Sequence, residues 1–385
     1  MNSRERVNMA LKHKEADRIS IDFGGTNQTG ITKGAYKDLF YFLNKEINLK
    51  DLQIMSQSQQ LVKIDEKILD MFGVDTVSFR ANSISNGTLD IYEDNENFYF
   101  KDEWGIEWIM PKTRGLYFDV HANPLANMSI NDIEKYDWPD PNKKDRYLGL
   151  KNRAKDLYEN TDKAIIALNP IGAGILELST WLVGFEEFFI WLIADKKKAH
   201  YVLNKITDIQ LEAWNNYLEQ IGSYIDICAT LEDIGTQNGP MISQDLFKEM
   251  IFPLLKKRIE VIKKRTAAKV FLHSCGDISK FIPLLIEAGI DILNPIQVSA
   301  SNMRDTSKLK KEYGKDLVFW GAGCDSQKIL PFGSTNDVEI EVKKRIKDLA
   351  KGGGFIFAPI HNIQYGVPPK NIITMFKTAL KHGSY

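Results

Sequence analysis

Short runs of β-branched and aromatic residues alternate along this chain with longer stretches of helical periodicity. Arg18–Gly25 reads as a strand ending in a glycine turn, and Gly73–Phe79, Ala164–Gly172 and Tyr224–Asp233 read as three more. Ala268–Cys275, Asp291–Pro295, Leu317–Gly321 and Gly354–Pro359 bring the set to eight. Between them, apolar positions recur at helical spacing over Lys33–Leu43, Leu61–Phe72, 174–194, 196–220, Ile278–Ala288, Asp305–Tyr313, Thr335–Lys351 and Lys370–Lys381. Ser243–Lys264 has the same spacing, with Pro253 as a kink or break. A short amphipathic helix over 3–14, with Val7, Ala10 and Leu11 on one side, precedes the first strand. Repeated βα units imply parallel strands, and eight of them predict an α/β fold, a closed (β/α)8 TIM barrel.

Residues 85–125 break this rhythm. Leu89–Phe100 and Gly105–Met110 read as hairpin strands around polar turns, and the prolines of Trp138–Pro141 end regular structure. The expectation is one barrel domain over 1–385, with residues 85–145 inserted as a lid above its mouth.

The polar residues support the barrel. Asp22, Arg80, Asn169, Glu232, His273, Cys275, Asn294, Cys324 and His361 all fall near the C-terminal ends of their strands, the rim where a TIM barrel carries its active site. A doubly wound open sheet would instead gather ligands at one switch point.

His273 and Cys275, two apart, share a face of an extended strand. Cys324 ends a later run. Two thiolates and an imidazole suit zinc, and three protein ligands leave the fourth tetrahedral position open, as in catalytic sites. A lone cysteine on a strand is usually a small buried hydrophobe, and Cys228, inside its strand, is read that way. Glu232 and Asp233 either cap the following loop or serve the site as an interim ligand, an anchor for His273 or a general acid. His361 and Asn362 are expected at the substrate, with Asp22, Arg80, Asn169, Asp233 and Asn294. Gly352–Gly354 precedes a strand instead of opening a helix, so it is not read as a phosphate cradle.

Composition excludes more than it proposes. The net charge of −1 over 385 residues gives no reason to expect nucleic acid or an anionic membrane as partner. Three cysteines argue against a disulfide framework and for a reducing, cytoplasmic setting. The charged N-terminal stretch does not read as a signal peptide, and no apolar run is long enough for a membrane span.

Several motifs together resemble the uroporphyrinogen decarboxylase superfamily over nearly the whole chain. They are Arg6, Ala10, Leu11, Ala16, Asp17 and Arg18; Ile242-Ser with Pro253; His273-Ser-Cys275-Gly276; and Ala288 to Asn294-Pro. The decarboxylases carry Arg-Gln-Ala-Gly-Arg after the first strand, where this chain has Phe23-Gly-Gly-Thr-Asn-Gln-Thr-Gly without arginine. It looks more like the zinc-dependent, corrinoid-linked methyltransferases and O-demethylases of the superfamily, in which Gly235-Thr-Gln237, Trp320-Gly and His361-Asn-Ile-Gln364 are familiar neighbours. The resemblance implies zinc on His273, Cys275 and Cys324. It also implies methyl transfer between a small donor or acceptor (an aryl methyl ether or a thiol) and a corrinoid on a separate protein, since no Asp-x-His-x-x-Gly motif occurs here. A second copy of the chain, in a homodimer, is the other partner considered. Porphyrinogen decarboxylation, with Asp22 and Arg80 facing acetate groups, is the rival reaction. A barrel that only binds a ligand or a corrinoid protein is the rival from another class.

Overall fold

Parallel strands buried on both faces need continuous apolar runs, and those runs form the barrel. In a computed structural model, which describes residues 1–44, 52–83 and 90–385, the strands are β1 (Ser20–Ile21), β2 (Thr76–Phe79), β3 (Ala164–Leu168), β4 (Ile227–Leu231), β5 (Lys269–His273), β6 (Ile292–Asn294), β7 (Val318–Ala322) and β8 (Phe355–Ala358). They form one eight-stranded sheet in the order β1-β8-β7-β6-β5-β4-β3-β2, a nearly closed (β/α)8 barrel. The register aligns the rim: Leu231 faces His273, His273 faces Asn294, and Ala322 faces Ala358.

The seam between β1 and β2 is closed by one residue. The Asp75 amide donates to the Ile21 carbonyl at 2.8 Å, and its carboxylate accepts the Ile21 amide at 2.9 Å. That carboxylate is fully buried and binds Arg6 at 2.6 Å and Arg18 at 2.7 Å. Arg6 also holds Asp17 at 2.7 Å. The basic and acidic residues of the N-terminal motif are therefore the clasp of the barrel.

Alternate strand residues point inward. Ile166, Ala229, Phe271, Ile292, Trp320 and Ile356 pack with Val7, Ala10 and Leu11 of helix α1 (Ser3–Leu11), which plugs the N-terminal end. Cys228 is buried in the outer layer against the helices, as a core residue.

The insertion is larger than two hairpin strands. Tyr92–Glu93, Asn97–Lys101, Glu107–Pro111 and Asp119–Ala122 make a four-stranded antiparallel sheet. The expected start of the insertion, residues 85–89, lies outside the described residues. The helix expected from Leu61 is shorter, Glu66–Met71, because Leu61–Val62 pairs with Ile54–Ser56 and Asp65 caps the helix. The pattern over 174–194 divides at Gly184 (φ +107°) into α2 (Ile175–Val183) and Phe185–Ala194. Ahead of Pro253 the helix loosens into a π turn, Phe247–Ile251.

Candidate active site

β5 delivers His273 and Cys275 to the rim, and β8 delivers His361. Their ligand atoms lie within 4.8 Å of one another. Asn294 of β6 donates through Nδ2 to the Trp320 carbonyl at 3.1 Å, which turns its Oδ1 to His273 Nδ1 at 2.7 Å. That contact requires a proton on Nδ1 and leaves a lone pair on Nε2, which lies 3.4 Å from Cys275 Sγ. Asp233 accepts the Cys275 amide at 2.8 Å and stands 3.8 Å from His273 Nε2.

The loop bearing Cys275 is fixed by glycine contacts. Gly276 has φ +86°, and a Cβ there would meet Gly235 C at 2.5 Å. Its amide donates to Gln297 Oε1 at 2.7 Å. Only residues without side chains let the loops after β4 and β5 come this close.

The cluster is crowded with titratable groups, acids beside imidazoles. Burial raises the Cys275 thiol, and the carboxylates of Asp233 and Glu177 raise it further. Glu177, in the first turn of α2, is held well above the usual carboxylate range by burial and then by Asp233. Burial lowers the His361 imidazole to about 4, and His273 opposes its protonation. Two imidazoles, a thiol and carboxyl groups meeting at one point form a donor set suited to a divalent cation.

Above the cluster opens a cavity of about 760 Å³. Leu168, Ala229 and Phe271 form part of its floor, and His273, His361, Asp233 and Glu177 lie on one side. Phe100, Trp104 and Trp108 of the insertion and Trp181 of α2 close over it, with Trp108 edge-on to Trp181 at 5.1 Å. Tyr117 ties the insertion to the barrel: its hydroxyl donates to Asn362 Oδ1 and accepts from Gln364 Nε2 at 3.0 Å.

Arg80, Asn169 and Asp233, three of the residues expected at the substrate, line the cavity. Other expected site residues are committed elsewhere. Cys324 is buried in the outer layer, where Glu341 and Arg345 of helix α3 (Thr335–Leu349) act on its thiol. Positive φ at Gly321 (+108°) and Ala322 (+57°) ends the strand alternation and turns it away from the cluster. His361 stands where the later cysteine was expected. Glu232 is fully buried and does not line the cavity. It accepts the Ile175 and Leu176 amides at 2.9 and 2.7 Å and pairs with Arg258 at 3.1 Å, so it anchors the start of α2. Asp22 is buried under Trp320, accepting its indole N–H at 2.9 Å and the Thr76 hydroxyl at 2.6 Å. Asn294 bonds His273 and Asn362 accepts from Tyr117, and neither lines the cavity. Glu177 is the site residue that sequence reasoning missed. As an acid in the first turn of a helix it reads as a capping residue, and it does accept the Gly174 amide at 3.3 Å.

Comparison with known proteins agrees with this architecture. The family described as uroporphyrinogen decarboxylase (URO-D) matches residues 103–382. A methylated-thiol–coenzyme M methyltransferase of Methanosarcina mazei is 21% identical over 249 residues, 65% of this chain and 62% of that enzyme. The chain thus spans less than two thirds of that relative's length. A solved methyltransferase structure from Methanosarcina mazei superposes with a TM-score of 0.64 at 16% identity, covering 99% of each chain.

Proposed function

The chain belongs to the uroporphyrinogen decarboxylase family, and from that premise we propose that it is a zinc-dependent methyltransferase. It moves a methyl group between a small substrate, such as an O-methyl aromatic ether or a thiol, and the cobalt of a corrinoid held on a separate protein. The observation that carries this reading is the convergence of His273, Cys275 and His361 at one point beside a cavity that His273 and His361 line. The two methyltransferase relatives support the reaction class.

The donor set fits zinc: one thiol and two imidazoles, one of them oriented from behind by Asn294. When bound, zinc supplies Lewis acidity to the substrate heteroatom that gains or loses the methyl group. The chain's own groups do the rest. His273 offers Nε2 because Asn294 holds the proton on Nδ1. Cys275 gives up its proton on loading, which makes metal affinity rise with pH. Glu177, whose carboxyl is held well above the usual range by burial and by Asp233, is the acid we assign to the heteroatom anion. The aromatic residues of the insertion keep water from the reacting methyl group.

Elemental analysis tests the ligand set. Wild type and Cys324→Ser should each hold about one zinc per chain, and His361→Ala should lose most of it. Zinc retained in His361→Ala but lost in Cys324→Ser would overturn the assignment. Methyl transfer is tested by mixing loaded protein with cob(I)alamin and methylated donors and following the loss of the cobalt(I) absorbance.

A further inference from the structure

Arg80 follows β2, three strands around the barrel from β5, and lines the same cavity as the ligand cluster. Its guanidinium makes one hydrogen bond to a side chain, Nη2 to Asn27 Oδ1 at 2.6 Å. Its Nε is buried without an acceptor. Among the described residues, no carboxylate lies within ion-pair distance of it. The arginines buried more completely differ: Arg6 pairs with Asp17 and Asp75, Arg146 with Glu103, Arg258 with Glu232 and Arg345 with Glu341. Burial draws Arg80 down to about 10, which still leaves it charged at neutral pH.

A partly buried cation without a counter-ion, its Nε fully buried, is costly, and the fold bears that cost at the wall of a ligand cavity. The neighbouring wall is built of amides. Because Asn27 spends its Oδ1 on Arg80, its NH2 is left to donate into the same space. The carboxylates of the cavity are engaged elsewhere: Asp233 and Glu177 at the ligand cluster, Glu103 on Arg146 and Asp102 on Trp108. The lining also offers apolar side chains, Leu168, Phe271 and Trp181, beside Asn169 and Thr230.

Resting on the methyl-transfer reading of this cavity, we infer that the substrate is an amphiphilic anion: a methyl-bearing heteroatom at the ligand cluster, an apolar body, and a carboxylate or sulfonate paired with Arg80. A guanidinium suits either group through two parallel N–H contacts. The substrate thus supplies the counter-ion that the protein withholds, and an uncharged analogue leaves Arg80 unpaired.

Binding, measured apart from turnover, tests this. The probes for calorimetry on the zinc-loaded protein are 4-methoxybenzoate, 4-methoxybenzenesulfonate and uncharged methoxybenzene. At least one anion should bind about tenfold or more tightly than methoxybenzene, the loss expected for one charge-assisted contact. The tighter of the two identifies the group. Arg80→Gln should erase that preference without lowering the melting temperature, and Arg80→Lys should keep part of it. If no anion outbinds methoxybenzene, or if Arg80→Gln keeps the full preference, the inference fails. Should Arg80→Gln not fold, the wild-type comparison decides alone. An anion preference that depends on Arg80, without methyl transfer to cob(I)alamin from any donor, would uphold this inference and remove the methyl-transfer reading instead.

Discussion

Asn294 does not line the cavity, yet it decides which nitrogen of His273 is free. Asn294→Ala removes the acceptor for the Nδ1 proton and frees the ring to change tautomer. Zinc affinity should fall by about 10- to 100-fold, the usual cost of losing an outer partner of a ligand histidine, with little change in melting temperature of the metal-free protein. Competition with a chelator measures this, and unchanged affinity would remove the orienting role. Residue by residue, the pair His273 and Cys275 was legible because a spacing of two is a statement about one strand face. Cys324 was misread for the same reason: alternation was extrapolated past Gly321, where the backbone leaves the strand region. Glu232 looked catalytic at a strand end, yet it anchors a helix. Glu177, which the sequence reading passed over, faces the cluster from the first turn of α2. Sequence spacing cannot separate these roles, because both follow from where α2 begins relative to β4.

At the scale of elements, the inserted sheet brings its own titrating group to the cavity. Asp102 accepts the Trp104 and Ile106 amides at 2.9 and 3.0 Å and the Trp108 indole N–H at 2.9 Å. Burial outweighs these donors and holds its carboxyl at about 6. Between the ordinary value of about 4 and about 6, the folded turn binds more protons than the unfolded chain. Its stabilisation is therefore complete below about pH 4 and is lost as pH rises through about 6. Amide exchange at Trp104 and Ile106, corrected for intrinsic rates, should show weakening protection across that window, and Asp102→Asn should flatten the dependence. An unchanged profile in the variant would assign the effect elsewhere. The hairpins around Asp102 were legible from alternation. The outer strand at 119–122 was not, since it is polar and mostly exposed and so lacks the apolar face that marks a strand.

For the whole molecule, closure of the barrel depends on a charge cluster far from the chemistry. Asp75→Asn would leave Arg6 and Arg18 without their shared buried carboxylate and weaken the β1–β2 seam. A loss of about 3–5 kcal/mol is expected, read from denaturant unfolding, with the zinc stoichiometry of the remaining folded protein unchanged. A loss below about 1 kcal/mol, the value of an exposed pair, would show that the seam holds without the cluster. The eight-fold repeat of strand and helix was visible in the hydrophobic pattern, but its closure was not, because Arg6, Arg18 and Asp75 become neighbours only once the barrel exists.

Tyr117 grips Asn362, the residue next to His361. Access to the cavity and geometry at the ligand cluster are therefore one mechanical variable, not two. A molecule that seats the insertion also seats His361, and by reciprocity whatever fixes His361 favours a shut cavity. A substitution at Tyr117 is therefore felt at the ligand cluster as well as at the mouth of the cavity.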